Sequence, residues 1–328
     1  MPPLNQELRQ PHPWVLEGAR RVRFAAVGIF LPDINDVVSF ARRCESLGFD
    51  AYWANDHPNR SMDCWSLLTA LAMTTERLRL ISLVSCVYYR SPFLLARMAA
   101  DVDRASDGRL VLGLGIGDDV PEFGQMGLAF PPAKERHEAM EETFDIVEGL
   151  WRREPFTYNG KHFHVSSATM SPLPVQRPYV PVLIGGGGER ITLRQVARRA
   201  DVSNFAPHEW AGGAYDGNDV KRKYAALRQH CESQGRPYES ILRSHMTPLV
   251  TLAPTGKELE RKRAGARIPD RSLRSVPLFA TTAQAISHFQ ALADLGVQYF
   301  LTAVNGHDAE TLELLASEVM PAIKLGRT

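Results

Sequence analysis

One feature constrains this chain more than any other: an apolar, strand-like run followed by a stretch of helical period recurs eight times along its 328 residues. Residues 23–30 (RFAAVGIF) read as a buried strand, and residues 36–47 follow with Val37, Phe40, Ala41, Cys44 and Leu47 at helical spacing, stopped by Gly48. The alternation continues with strands over 49–54, 78–87 and 109–115. The helices between them cover 63–73, a stretch opened by Pro92, and 136–151, where Met140, Phe144, Val147 and Trp151 share a face. It is interrupted by an expected β-hairpin over 156–165 centred on Asn159-Gly160, then by a loop marked by Pro172, Pro174, Pro178 and Pro181. Strands over 182–185, 200–204, 242–252 and 297–304 resume it, with helices over 189–199, 220–233, 282–295 and 308–324. Residues 256–275 are rich in charge without a clear period and read as a mobile insertion.

Eight strand–helix units joined by helical crossovers close into a (β/α)8 TIM barrel, whereas an open doubly wound sheet needs five or six. The segments SLGFDAYWAN (46–55) and DLGVQYFLTA (294–303) echo each other, each placing Leu-Gly at a helix end before a strand. The expected organisation is an N-terminal extension over 1–21 and one barrel over 22–328. With 44% apolar residues the chain can fill such a core. Its 38 basic and 37 acidic residues leave a net charge of +1, which gives no electrostatic footprint for nucleic acid or an acidic membrane. Cys44, Cys64, Cys86 and Cys231 match neither a disulfide framework nor a zinc pattern. The start, MPPLNQELRQPHPW, lacks the apolar run of a secretory signal, and no stretch approaches a membrane span. A cytoplasmic protein is the expectation.

In a barrel of this kind the active site lies at the carboxyl ends of the strands, so the residues just after each strand carry most weight. Asn55-Asp56-His57 closes the second strand. His57 can exchange a proton near neutral pH, and Asp56 can orient it or accept a cofactor hydrogen bond, with a solvated Asx-type turn as the alternative. Gly113-Leu114-Gly115-Ile116-Gly117-Asp118 follows the fourth strand. Its glycines let backbone approach a ligand or relieve crowding in the barrel, and Asp118 brings a carboxyl to the mouth. Ile184-Gly185-Gly186-Gly187-Gly188-Glu189-Arg190 runs from the fifth strand into a helix. Successive N–H groups at a helix start suit a phosphate, with Thr192 and Arg194 placed to help.

Other features carry less. His162 and His164 alternate on the hairpin, but a metal site needs a third ligand. No G-x-S-x-G elbow supports acyl transfer. Lys221-Arg222-Lys223 and Arg261-Lys262-Arg263 read as solvated faces. Trp53, Trp65, Tyr88 and Tyr89 suit either a flat-ring pocket or the core.

Taken in order, several segments resemble the bacterial luciferase-like superfamily, and within it the deazaflavin (coenzyme F420)-dependent oxidoreductases. They are SLGFDAYWANDH (46–57), RLISLVSCVYYRSP (79–92), LLARMAADVD (94–103), GRLVLGLGIGDDVPEF (108–123), FPPAKER (130–136), YNGKHF (158–163), and 181–201 with IGGGGER and ARRAD. The resemblance implies a dimeric (β/α)8 barrel with a tricyclic ring across its mouth. It also implies a bulge in the third strand, with a cis non-proline peptide at Leu83–Val84 supporting the ring. Ser82, Leu83, Val84 and Ser85 then become candidate cofactor contacts, together with Asp56, Gly115 and Gly117. Gly185 to Gly188, Glu189 and Arg190 match the family's phosphate site. His57 and Asp118 are the implied catalytic residues. Asp118 stands where the dehydrogenases usually carry glutamate, and Ile81 where many relatives carry glycine.

The leading expectation is therefore hydride transfer between F420 and a small organic substrate, by a cytoplasmic homodimer with a separate reductase supplying reduced cofactor. The alternative is an FMN-dependent monooxygenase using reduced FMN and oxygen. A flavin-binding protein without catalysis is the third.

Overall fold

The computed structural model describes residues 11–152, 154–209, 211–266 and 275–326. In chain order its first elements are α1 (Pro13–Gly18), β1 (Arg23–Ile29), α2 (Ile34–Ser46), β2 (Ala51–Ala54), α3 (Cys64–Thr74), β3 (Arg79–Ser82), β4 (Ser85–Cys86) and α4 (Pro92–Ala105). Next come β5 (Leu110–Gly115), α5 (Val120–Gln125), α6 (Ala133–Leu150), β6 (Phe156–Asn159), β7 (His164–Ala168), β8 (Val182–Gly185), α7 (Thr192–Arg199), β9 (Val202–Phe205) and α8 (Gly217–Ser233). The last are β10 (Leu242–Ala253), α9 (Gly256–Ala264), β11 (Leu278–Thr281), α10 (Thr282–Asp294), β12 (Tyr299–Asn305), α11 (Ala309–Leu314) and α12 (Met320–Ala322).

Eight of these strands are the staves of a closed parallel barrel in the order β1, β2, β3, β5, β8, β9, β10, β12, with β12 returning to β1. This is the (β/α)8 TIM barrel that the alternation predicts. Strands covered on both faces read as continuous apolar runs, and β5 (LVLGLG) is buried along its whole length. The helices start where short polar residues can cap them. Asp33 accepts from the N–H of Asn35 before α2, and Ser91 from that of Leu94 before α4, where Pro92 takes an early position that needs no donor. A reciprocal Thr281–Gln284 box opens α10.

The apolar run 78–87 is not one strand. It divides into β3 and β4 around a cis peptide at Leu83–Val84, and both halves pair with β5. The displaced backbone needs room on its neighbour. A Cβ on Gly113 would collide with the Ser82 carbonyl oxygen, and one on Gly115 with a Val84 methyl, so these two glycines serve close strand packing.

Four expectations change. Residues 256–275 are not irregular throughout. Thr255 caps α9 by accepting from the Glu258 N–H, Leu259 is buried, and Lys262 Nζ reaches the Leu252 carbonyl at 2.8 Å and Asp308 at 2.7 Å. With one buried apolar residue the helix shows no amphipathic period; residues 267–274 of the expected insertion lie outside the described residues. Second, β11, which the sequence does not announce, extends the sheet beside the end of β10. Third, the hairpin register pairs Asn159 with His164, so its turn is the four residues 160–163. The Glu142 carboxylate fills that turn, accepting from the N–H groups of Lys161, His162 and Phe163. His162 therefore sits in the turn and does not alternate with His164. Fourth, the helix expected from 189 begins at Thr192, after Ile191, which offers no capping side chain.

Residues 11–22, ahead of β1, pack against the barrel. Trp14 of α1 is buried, edge-on to Tyr299, with the Arg79 guanidinium 4.8 Å from its ring centre. Among the described residues no helix is long and apolar enough to cross a membrane.

Candidate active site

The loops after β2, β5 and β8 meet. Asp56, His57, Gly115, Gly117, Asp118, Gly185 and Gly186 line one cleft of about 240 Å3, floored by Leu83 and Val84 and walled by Trp53, Tyr89 and Met246. A second hollow of about 610 Å3 adjoins it through Ile116, Gly185 and Gly186, and takes in Gly187, Gly188, Glu189 and Thr192. A flat ring in the first and a polar tail in the second would form one continuous ligand. Leu83 and Val84, the two residues of the cis peptide, both lie at the floor. Ser82 and Ser85 flank them: Ser82 Oγ bonds to the Gly113 backbone and Ser85 Oγ accepts from Trp65 Nε1 at 3.0 Å. The resemblance marks both serines as expected cofactor contacts; neither is among the residues lining these two hollows, and each is bonded to its neighbours beside the bulge. Trp65 is likewise core, whereas Trp53 and Tyr89 reach the cleft.

His57 does not depend on Asp56. The Asp56 carboxylate is buried and held by Arg90 Nη1 at 2.6 Å, and Arg90 also binds Asp63 at 2.7 Å. The group that orients the imidazole is Glu122, which the sequence reading did not single out. Glu122 Oε2 lies 2.9 Å from His57 Nδ1 and accepts from the Tyr89 hydroxyl at 2.6 Å, while Oε1 accepts the Asn59 N–H at 3.4 Å. Glu122 is delivered by α5, a short helix capped by Asp119, which accepts the Glu122 N–H at 3.0 Å. The sequence signals the helix but not the contact with His57: Asp119, Pro121 and Glu122 have the spacing of a helix start. Asp119 is also paired with Arg60, which ties the loop after β2 to α5.

Burial pushes the Glu122 carboxyl up. The bonds from Tyr89 and His57, the His57 charge and the Asn59 N–H outweigh it and hold the group below the usual carboxylate range. The Tyr89 phenol is pushed up, first by burial and then by its bond to Glu122. An ionised Glu122 only accepts, so His57 Nδ1 carries the hydrogen and Nε2 is left for the cleft. Asp118 stands on the same cleft. So does His208, from the loop after β9, whose proton affinity is lowered chiefly by burial. It was missed because no motif marks it.

The glycine run is partly committed to structure. Gly186 gives its N–H to the Asn204 carbonyl at 2.8 Å, so fewer than four successive donors face the hollow. Gly187 is packed backbone to backbone: a Cβ there would lie 3.1 Å from Phe205 Cβ and 3.2 Å from Gly212 Cα. The N–H groups of Gly187 and Gly188 make no hydrogen bond among the described residues. Thr192 lines this hollow, while Arg194 borders a separate groove beyond His137. Arg190 is exposed and lines neither, because the turn over 189–191 carries it outward. Lys223, expected on a solvated face, is 5% exposed. It lies against Gly187 because α8 turns Lys221 and Arg222 outward and places Lys223 on its buried face with Val220, Tyr224 and Leu227.

The sequence model of the family described as luciferase-like monooxygenase matches residues 11–323, beginning inside the segment expected as an extension. The F420-dependent glucose-6-phosphate dehydrogenase of Amycolatopsis mediterranei (strain U-32) is 30% identical over 318 residues, covering 88% of this chain and 94% of that protein. Its counterpart from Microbacterium testaceum (strain StLB037) is 27% identical over 320 residues, with the same coverage. Among solved structures, an F420-dependent secondary alcohol dehydrogenase in complex with an F420–acetone adduct superposes with TM-score 0.77 at 18% identity, covering 93% of this chain and 99% of that one. The EDTA monooxygenase of Chelativorans sp. BNC1 does so with TM-score 0.77 at 18% identity, over 92% and 93%. At such identities the structural likeness is one of fold.

Proposed function

The chain belongs to the luciferase-like monooxygenase family, and from that premise we propose that it is a coenzyme F420-dependent oxidoreductase moving a hydride between the deazaflavin and a small organic substrate. One observation carries this reading: His57, oriented by a buried Glu122, faces a cleft floored by Leu83 and Val84 that continues into the glycine-lined hollow. The residues present suit such a group, since the N–H groups of Gly187 and Gly188, which make no hydrogen bond among the described residues, belong to the lining of the hollow together with Lys223. The F420-dependent relatives matched over most of the chain support the choice of cofactor.

When bound, the deazaflavin supplies a ring carbon that accepts or gives hydride and does not readily activate oxygen. The chain's own residues do the rest. His57 Nε2 takes the proton of a substrate hydroxyl, or returns it, while Glu122 steadies the imidazolium that forms. Asp118 stands as a second acid or base on the same cleft. Trp53, Val84 and Met246 limit the water that can reach the reacting atoms. Gly187 and Gly188 offer N–H donors to the phosphate. The reading carries with it a cytoplasmic homodimer and, where the substrate is reduced, a separate reductase that supplies reduced cofactor.

The fold serves monooxygenases equally well, as the EDTA monooxygenase likeness shows, and an FMN-dependent monooxygenase is the alternative reading. Titration of the purified protein with F420 and with FMN, followed by tryptophan quenching, separates the two. Binding of F420 with reduction of it by an alcohol-type substrate is expected. Tight FMN binding, no F420 binding and oxygen uptake with reduced FMN would establish the monooxygenase instead.

A further inference from the structure

The glycine-lined hollow contains a cation whose local partners do not account for its burial. Lys223 Nζ has three donors. One goes to the Gly187 carbonyl at 2.8 Å. The nearest carboxylate oxygen, Glu189 Oε1, is 3.8 Å away and is bound more closely by Arg222 at 2.8 Å. A buried ammonium with one carbonyl and a shared, distant carboxylate is costly. Its aliphatic stem lies against Gly187, and the residue lines the hollow together with Gly187, Gly188 and Thr192.

We infer that Lys223 is the charge-reading residue of this hollow: its ammonium recognises the phosphate of the bound cofactor, and Glu189 is the counter-ion that the phosphate displaces. Backbone N–H groups supply partial charge only, and helix α7 begins with no side-chain cap. A phosphate anion placed there without Lys223 would face Glu189 with one fixed cation fewer. The inference rests on the hollow being the phosphate site of the proposed function, but not on which flavin ring occupies the cleft.

The test compares ligands with and without phosphate: F420 against its phosphate-free deazaflavin core, and FMN against riboflavin. Kd is read by tryptophan quenching in wild type, Lys223→Met and Glu189→Gln. Methionine keeps the stem that packs on Gly187 and removes the charge. Lys223→Met is expected to weaken the phosphate-bearing ligand about ten- to a hundredfold and to leave the phosphate-free ligand within about twofold, which also shows that the variant is folded. Glu189→Gln, at a more exposed position, is expected to tighten the phosphate-bearing ligand by about two- to fivefold. Equal weakening of both ligands by Lys223→Met would make the lysine a packing residue and overturn the inference, as would loss of phosphate affinity in Glu189→Gln. If the wild-type protein does not favour the phosphate-bearing ligand of either pair, the phosphate site itself fails. If it does, and Lys223→Met preserves that preference, only the role of the ammonium fails.

Discussion

The two ends of the barrel both bury charge, and they do opposite things with it. At the amino ends of the strands, Arg23 pairs with Asp50 at 3.3 Å, Asp50 accepts from the Tyr299 hydroxyl at 2.8 Å, and Trp14 packs over the group with Arg23 and Arg79 against its ring. Nearby, Asp103 is saturated by the N–H groups of Val175 and Gln176 and the Gln176 amide. These partners are protein groups that close the end. At the carboxyl ends, Glu122 is equally buried, but the residue it holds is His57, whose remaining nitrogen opens on the cleft. Similar chemistry thus seals one end and leaves the other with groups that need a ligand, the division of labour expected between stability and catalysis in this architecture.

That contrast breaks if variants at the two ends behave alike. The largest expected effect is at the mouth. His57→Ala should lower turnover by about 10²–10⁴-fold, the range for a positioned acid or base, while cofactor Kd stays within a few-fold and Tm is nearly unchanged. Steady-state kinetics with quenching titrations check it, and near-normal turnover would remove His57 as proton carrier. At the base the order reverses. Trp14→Ala should cost about 3–5 kcal/mol of stability, as for a large buried aromatic, read from urea unfolding, with kcat per folded molecule unchanged. A fall in kcat at full folding would mean that the two ends are coupled through the staves.

The same contrast explains what could be read in advance. The staves and most helices were legible because they bury whole faces, and burial writes itself into the period of the sequence: residues 182–185 are a strand as expected, and Val37, Phe40, Ala41 and Cys44 are the buried face of α2. Even the glycines after the fourth strand could be read two ways, and close packing against the Val84 bulge accounts for Gly113 and Gly115. What escaped were residues whose role depends on a partner distant in sequence. Glu122 meets His57 across 65 positions, and nothing local separates it from a surface glutamate in a short helix. Lys223 lies in a run of three cations, and only its contact with Gly187 distinguishes it from Arg222. Asp56 misled for the same reason: beside His57 in sequence, it is turned to Arg90 in space.

The smallest effect expected concerns how the base responds to pH. Glu45, at the end of α2, accepts from the N–H groups of Glu76, Arg77 and Leu78 at 2.9, 2.6 and 2.9 Å, and so fastens the turn that leads into β3. Burial raises its proton affinity, but the three N–H bonds and the Arg77 charge outweigh that and leave it below the usual value. A carboxyl lowered on folding adds stability above its unfolded pKa, about 4.3, and loses it as pH falls through the lower folded value. Glu45→Gln should therefore be less stable than wild type near pH 7 by about 0.5–1 kcal/mol, the scale of a partly exposed hydrogen-bonded carboxylate. The gap should narrow below about pH 4, where the wild-type carboxyl takes up its proton. Because Glu45 touches neither cleft, the pH profile of turnover should be the same in both proteins. Urea unfolding at pH 7 and pH 3.5 measures the first part and kinetics the second. A gap that is constant with pH would mean that the amide fails for reasons of packing, and a shifted activity profile would mean that the closed end is felt at the open one.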